Sequence, residues 1–346
     1  MENSVFIFKI NLDWQLISLI SQIDRFDASW TSIERREKRS LRQLKAIATV
    51  RSVGASTRIE GSRMTDEEVD VLLRNIEMTK LEDRDSQEVA GYFEAFDIIS
   101  ESYKDIQITE GDIKNLHNIL MKFSSKDEWH KGNYKQHGNA VEAKYPDGKN
   151  QIIFKTEEPG FATEHSMANL IEWYNSEHSI HPLVKCCIFT YEFLSIHPFQ
   201  DGNGRLSRLL SSLLLLKNGY KWIQYVSFEH EIESRKTEYY RVLRSCQAQR
   251  PNENVSEWVN FFFDALKNIQ EQLSQKLQIH QKDEQLTPRQ KLLVTFIQNN
   301  PGCKSGDIIK NIAISRMVVI RELAVLIEKN IIEKRGTGSG TQYIIK

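Results

Sequence analysis

His197, Asp201, Gly202, Asn203, Gly204, Arg205 and Arg208 fall within one stretch of twelve residues, His197-Pro198-Phe199-Gln200-Asp201-Gly202-Asn203-Gly204-Arg205-Leu206-Ser207-Arg208. Two glycines flank an asparagine where an apolar helix is about to begin, so several backbone N–H groups can converge on one anion. Asp201 precedes that nest and suits a divalent cation carried by phosphates. Arg205 and Arg208 are three apart and share a helix face. His197 lies upstream, within range to act as a proton acceptor beside the anion. Each piece has a plainer explanation: a loop histidine, a Gly-x-Gly turn, an Asx-turn or cap, solvated arginines. Their concurrence ahead of a buried helix favours phosphoryl or nucleotidyl transfer.

The elements that must hold this loop are legible on both sides. Leu206 to Leu216 is strongly apolar, too short to span a membrane, and carries Arg208. Before the loop, Pro182 opens a helix whose Leu183, Val184, Ile188, Phe189, Phe193 and Leu194 predict deep burial. Residues 163–175 predict a further amphipathic helix through Met167, Leu170, Ile171, Trp173 and Tyr174. A loop mounted between buried helices holds reactive groups rigidly.

The stretch resembles, at every specified position, the Fic family signature HPFx(D/E)GNGRxxR. The resemblance implies a mainly α Fic-type helical bundle with a β-hairpin flap, and transfer of AMP from ATP to a Tyr, Thr or Ser hydroxyl of a target protein, the enzyme itself included. It implies His197 as catalytic base, and Gly202, Asn203, Gly204, Arg205 and Arg208 as nucleotide-binding residues. Arg208 would meet the γ-phosphate, and Asp201 would hold Mg²⁺.

A second stretch, Ser56-Thr57-Arg58-Ile59-Glu60-Gly61, ends a helix predicted from about Leu41 to Glu60. Ser56 and Glu60 are i and i+4 and share a face. Gly61 reads as the C-terminal stop, which leaves Glu60 at the negative end of the helix dipole and in need of a partner elsewhere. The stretch resembles the Fic inhibitory motif (S/T)xxxE(G/N). That resemblance implies that Glu60, with Ser56, claims Arg208, as in the class whose inhibitory helix is N-terminal.

Elsewhere, Thr65…Glu68 has capping-box spacing and predicts a helix to about Met78. Further helices are expected over about Asp85–Ser102 and after Thr109, the latter carrying His117 as a core residue. Gly132-Asn133-Tyr134-Lys135 resembles the family's Gly-x-Tyr/Phe-Arg, with Lys135 in place of arginine. Val141–Tyr145 and Gln151–Lys155, around the turn signal Tyr145-Pro146-Asp147-Gly148-Lys149, predict the two arms of the flap. The run Glu231 to Leu243 resembles I-x-x-x-R-x-x-Y-Y-x-A-L, with Val242 in place of alanine, which implies that Tyr239 or Tyr240 contacts the nucleotide base. A helix with Trp258, Phe261, Phe262, Phe263, Leu266 and Ile269 is expected to fade into a polar linker.

The chain has 346 residues, is 40% hydrophobic and 27% charged, and carries a net charge of −1. That is room for two or three domains, with no global field favouring nucleic acid or anionic membrane. Cys186, Cys187, Cys246 and Cys303 form no CxxC pair, and the start Met1-Glu2-Asn3-Ser4 has no basic, apolar leader character. The expected setting is cytoplasmic, without membrane contact. From residue 285 onward ten Lys/Arg stand against four Asp/Glu, a net +6. Three helices and a Gly-tipped hairpin there predict a winged helix. Its third helix, from Ser315, offers few side chains able to read base edges, so protein docking or homodimerisation is preferred over DNA binding. The expected organisation is an N-terminal helical region with the inhibitory helix (1–84), a catalytic core (85–270), a linker (271–285) and the winged helix (286–346). Rival functions are AMP removal, use of another nucleotide, and a DNA-binding regulator with an accessory Fic domain.

Overall fold

The computed structural model describes residues 8–76, 80–138, 140–144, 150–284, 286–312, 314–336 and 338–346. The first helix, α1 (Trp14–Arg36), starts where the Asp13 carboxylate accepts from the Leu16 amide at 2.8 Å. Next comes α2 (Lys38–Ile59), which starts a few residues before the expected Leu41 and stops with Glu60 as its C-cap. The predicted capping box forms: Thr65 and Glu68 exchange bonds with each other's amides and open α3 (Asp66–Arg74). This helix ends short of the expected Met78, which lies outside the described residues. Asp83 caps α4 (Arg84–Ser102), and Thr109 caps α5 (Glu110–Leu120) as its sequence suggested.

Strands β1 (Ala140–Lys144) and β2 (Asn150–Lys155) pair antiparallel, from Ala140 opposite Lys155 to Lys144 opposite Asn150. These are the two expected hairpin arms; the turn at residues 145–149 lies outside the described residues. Helices α6 (Phe161–Ser176), α7 (Pro182–Ile196) and α8 (Asn203–Lys217) follow. After a 3₁₀ turn at Lys221–Tyr225 come α9 (Phe228–Ser234), α10 (Lys236–Gln247) and α11 (Ser256–Glu284).

The core is built around α8. Leu206, Leu209, Leu210, Leu213 and Leu214 are all 0% exposed, with α7 packed along one side and α4, α5 and α2 against the others. Burying five leucines contributes on the order of 10 kcal/mol before conformational entropy is set against it. Its leucines bury against neighbours on several sides, and the paired serines and arginines among them are buried too, which gives the loop at its N-terminus a stiff mount.

The chain divides into two compact units, Met1–Leu273 and Ser274–Lys346. The N-terminal helices expected as a region of their own at 1–84 therefore belong to the same unit as the core, with α2 against α4 and α9. Helix α11 runs on to Glu284, through most of the stretch expected as a linker at 271–285. Leu273 and Leu277 are buried at i and i+4, a stripe too narrow to register against the polar composition around it. The second unit contains α12 (Pro288–Asn299), α13 (Ser305–Asn311), α14 (Arg316–Glu328) and an antiparallel pair, β3 (Ile332–Arg335) with β4 (Gln342–Ile345). Leu293, Ile297, Ile308, Val319, Leu323, Leu326 and Ile332 form its core. The architecture is mainly α, as the sequence implied. Among the described residues no helix is long and apolar enough to cross a membrane.

Candidate active site

Helix α7 ends at His197, which adopts a left-handed conformation (φ 53°) while its amide still donates to the Phe193 carbonyl at 3.0 Å. Pro198 cannot continue the helix, so the chain turns out here. The His197 imidazole is buried between the Leu194 backbone and the cavity, whose lining it joins. Burial first, and the Lys135 ammonium next, push the imidazole down to about 4, against the pull of the Leu194 backbone, Glu60 and Asp201. A neutral imidazole at pH 7 is the form that accepts a proton.

Asn203 closes the loop on itself. Its side-chain amide donates to the Phe199 carbonyl at 2.7 Å and accepts from the Phe199 amide at 2.9 Å. The Phe199 ring stacks on His117, with centroids 3.8 Å apart and planes 9° from parallel. His117 Nδ1 accepts from the Gly132 amide at 2.9 Å, so Nε2 carries the proton and donates to the Asp201 carbonyl at 3.0 Å. Burial pushes this ring down to about 4 as well and keeps it neutral. His117 is core, as expected, and it also holds the loop.

Gly202 opens α8 at φ 81°, where a Cβ would lie 3.2 Å from the Met121 sulfur and 3.3 Å from His117 Nε2. Beyond it the first-turn amides of α8 point toward the helix N-terminus and are available to an anion. The Asp201 carboxylate accepts from the Gly202 amide at 2.6 Å and lies 3.5 Å from Arg205. Burial would raise its pKa, but Arg205 and the Gly202 amide outweigh burial and leave it below the ordinary value. The side chain is 42% exposed. A single ionised, accessible carboxylate fits a Mg²⁺ whose remaining ligands are phosphate oxygens and water. Among the described residues no group of three or more His, Cys, Asp or Glu could hold a metal by itself.

The two arginines of α8 have separate surroundings. Arg205 is 2% exposed and lies between Glu88 (3.4 Å) and Asp201 (3.5 Å). Arg208, also 2% exposed, donates from Nη2 to Glu60 Oε1 at 2.8 Å. It also donates to Ser56, from Nε to Oγ at 2.8 Å and from Nη2 to the backbone carbonyl at 3.0 Å. Burial works against the Arg208 charge, but the Glu60 carboxylate outweighs it, and its pKa is raised above the ordinary value. Glu60 also lies over the anion site, since a Cβ on Gly204 would be only 2.3 Å from Glu60 Oε1.

A cavity of about 260 Å³ joins these groups, lined by Glu60, His197, Gly204, Arg208, Tyr239 and Tyr240. Ser56 stands behind Arg208. Asn203 and Arg205 face the loop interior and the Glu88–Asp201 carboxylates, away from the cavity wall. Leu194, Leu243, Arg244 and Gln247 complete the lining and are not among the site residues expected from the sequence. The signal for the last three was present: from Tyr240 they fall at i+3, i+4 and i+7, one face of α10.

A left-handed histidine, a glycine-opened helix N-terminus and a hairpin on a helical core define a Fic-type fold. Residues 107–215, just under a third of the chain, match the Fic/DOC family. The Drosophila melanogaster protein named protein adenylyltransferase Fic is 33% identical over 117 residues, 33% of this chain and 21% of that protein. The Drosophila virilis protein of the same name is 32% identical over 117 residues. The aligned stretch thus spans about a fifth of these curated relatives, at 21% of their length. Among solved structures, a Fic family protein from Desulfovibrio desulfuricans superposes with a TM-score of 0.65 at 25% identity, over 99% of this chain and 98% of that one. A Fic domain containing signaling protein from Bacteroides thetaiotaomicron gives 0.57 at 23% identity, over 74% and 94%.

Proposed function

We propose that this protein is an adenylyltransferase that moves AMP from ATP to a hydroxyl of a target protein, and that Glu60 holds it off. The observation that carries the reading is one cavity shared by His197, the first turn of α8 at Gly204, and an Arg208 already occupied by Glu60. ATP would lay its phosphates on the α8 amides and its base between the tyrosines of α10 and the cavity wall. His197 would take the proton of the incoming Tyr, Thr or Ser hydroxyl as its oxygen attacks the α-phosphorus. The new O–P bond forms as the bond to pyrophosphate breaks, and the anionic phosphates raise the basicity of His197 while they are bound. Asp201 would hold Mg²⁺, which when bound supplies charge neutralisation to the phosphates. Arg205 supports Asp201 from below, and Asn203 keeps the loop closed.

Arg208 would reach the γ-phosphate only after Glu60 withdraws. Until then the triphosphate is misplaced, and misplacement by about 1 Å can cost on the order of 10²-fold in rate. Glu60→Gly protein incubated with labelled ATP and Mg²⁺ is expected to label protein bands, the enzyme among them; absence of label in lysate would sink the reading. In that background His197→Ala is expected to lower labelling by roughly 10³-fold or more, read by scintillation counting. Unchanged counts would remove His197 as the base.

The position of Glu60 over Gly204, in the same cavity as His197, supports a second reading in which Glu60 positions a water to release AMP. Release from a modified target by the unaltered chain, and not by Glu60→Gly, would select it. Competition of labelling by UTP, GTP or CDP-alcohols tests nucleotide choice. We read the net +6 C-terminal unit as a winged-helix docking or dimerisation module. Salt-sensitive, sequence-dependent duplex binding by the full chain would transfer it to DNA.

A further inference from the structure

We propose that Lys135 is a positioning residue for His197, holding the peptide carbonyls on either side of the histidine and tying them to the end of the flap. Its amide donates to the Pro198 carbonyl at 2.9 Å. Its ammonium donates to the Ile196 carbonyl at 3.2 Å and to Thr156 Oγ1 at 2.9 Å. Ile196 and Pro198 are the immediate neighbours of His197, and Thr156 is the first residue after β2. The side chain is 2% exposed, so these bonds form away from competing water.

His197 needs such support. A non-glycine residue at φ 53° is in a sparsely populated conformation that persists only when the surroundings fix it. Within the loop, Asn203 fixes the Phe199 amide, which shares its peptide with the Pro198 carbonyl, and His117 fixes the Asp201 carbonyl, but neither reaches the Ile196–His197 peptide. Lys135 supplies that contact from a different segment. The inference rests on His197 being the base, and it adds a residue that acts through His197 without touching substrate, since Lys135 does not line the cavity.

The same placement has an electrostatic consequence. A buried ammonium disfavours a second positive charge on the imidazole, in the same direction as burial. The other ionisable groups facing His197 are Asp201 on its own loop and Glu60, Arg208, Tyr239, Tyr240 and Arg244 around the cavity. Lys135 itself is pushed down to about 8 by burial, with Glu157 and Glu158 pulling the other way.

The test has two readouts on the full chain. In the first, histidine-labelled protein is titrated by NMR, with the His197 resonance assigned from its loss in His197→Ala. Lys135→Met is expected to raise the His197 pKa by about one unit, whereas Lys135→Arg, which keeps the charge, holds it within about 0.3. The second readout is kinetic, in the Glu60→Gly background. Lys135→Met is expected to lower kcat about 10- to 100-fold with KM for ATP within about twofold, and Lys135→Arg to restore kcat to within about threefold.

A His197 titration and kcat that both ignore Lys135→Met would overturn the proposal, as would a rise confined to KM. If methionine at 135 prevents folding, Lys135→Gln is carried through the same two readouts, and its failure to move both overturns the proposal. Should Glu60→Gly transfer nothing, the adenylylation reading fails, while the titrations still judge Lys135.

Discussion

Where the α7–α8 loop is tied down largely by uncharged bonds buried from water, the C-terminal turn of α2 is tied down largely by partly exposed ion pairs. Asn203 holds both backbone groups of Phe199, and a neutral His117 joins the Asp201 carbonyl to the Gly132 amide. On α2, Arg58 grips both oxygens of Glu233, at 2.7 and 3.0 Å, and Asp66 at 2.9 Å. Lys236 bonds the Ile59 carbonyl at 2.6 Å, and Glu60 reaches Arg208. The Glu60 side chain is 29% exposed and that of Glu233 is 23%. Salt and competing anions weaken pairs at such depths, but they do little to a buried neutral bond. Under the proposed function the difference gives the two regions different tasks: the loop would preserve geometry, and the α2 tip would give way to a more highly charged anion on Arg208.

The sharpest way to break this contrast is to open the loop. Asn203→Ala leaves the Phe199 N–H and C=O without their partner at a site that is 2% exposed. Two buried groups left unpaired predict a loss of about 2–4 kcal/mol, measured as the fall in urea unfolding free energy. A loss below about 0.5 kcal/mol would mean that the loop is held by something other than this pair.

Removing the carboxylate at the rim should do the reverse. Glu60→Gly is expected to cost only about 1 kcal/mol in the same urea experiment, because the pair is partly exposed and Arg208 keeps both Ser56 bonds. Labelling should meanwhile rise about 10- to 100-fold. A larger stability loss than that of Asn203→Ala would make Glu60 a structural member of the fold and erase the distinction.

Much of this is legible in the sequence, and what is not has physical reasons. Glycine–asparagine–glycine spacing, a helix-ending glutamate and capping boxes are local signals, and each specifies local geometry. The direction of a side chain at a helix N-terminus is not local. Asn203 and Arg205 occupy positions that suit a phosphate, yet Asn203 turns to Phe199, and Glu88, well over a hundred residues earlier, draws Arg205 away. The ranges of α2 and α4 and the start of α5 are legible to within a few residues because caps and apolar stripes agree there. The polar run after Gln270 read as a linker because two buried leucines in α11 could not outweigh it. His117 read as core, and only its two ring-nitrogen partners reveal that it also holds the loop.

The finest test lies behind Glu60, at Arg58. This guanidinium has no contact with Arg208; it anchors the turn that carries Glu60 by bridging Glu233, Asp66 and the Met64 carbonyl at 3.0 Å. Replacing it by glutamine removes ion pairs worth about 0.5–1 kcal/mol each near the surface, and part of that energy is available to loosen Glu60. Labelling by Arg58→Gln is therefore expected to rise about two- to fivefold, well short of Glu60→Gly. Added to Glu60→Gly, the same substitution should bring no further gain, since there is then no inhibitory carboxylate left to loosen. A gain in the double variant equal to that in the single one would show that Arg58 acts on the cavity by another route. No gain in either would mean that the ion pairs around α2 do not hold Glu60 in place.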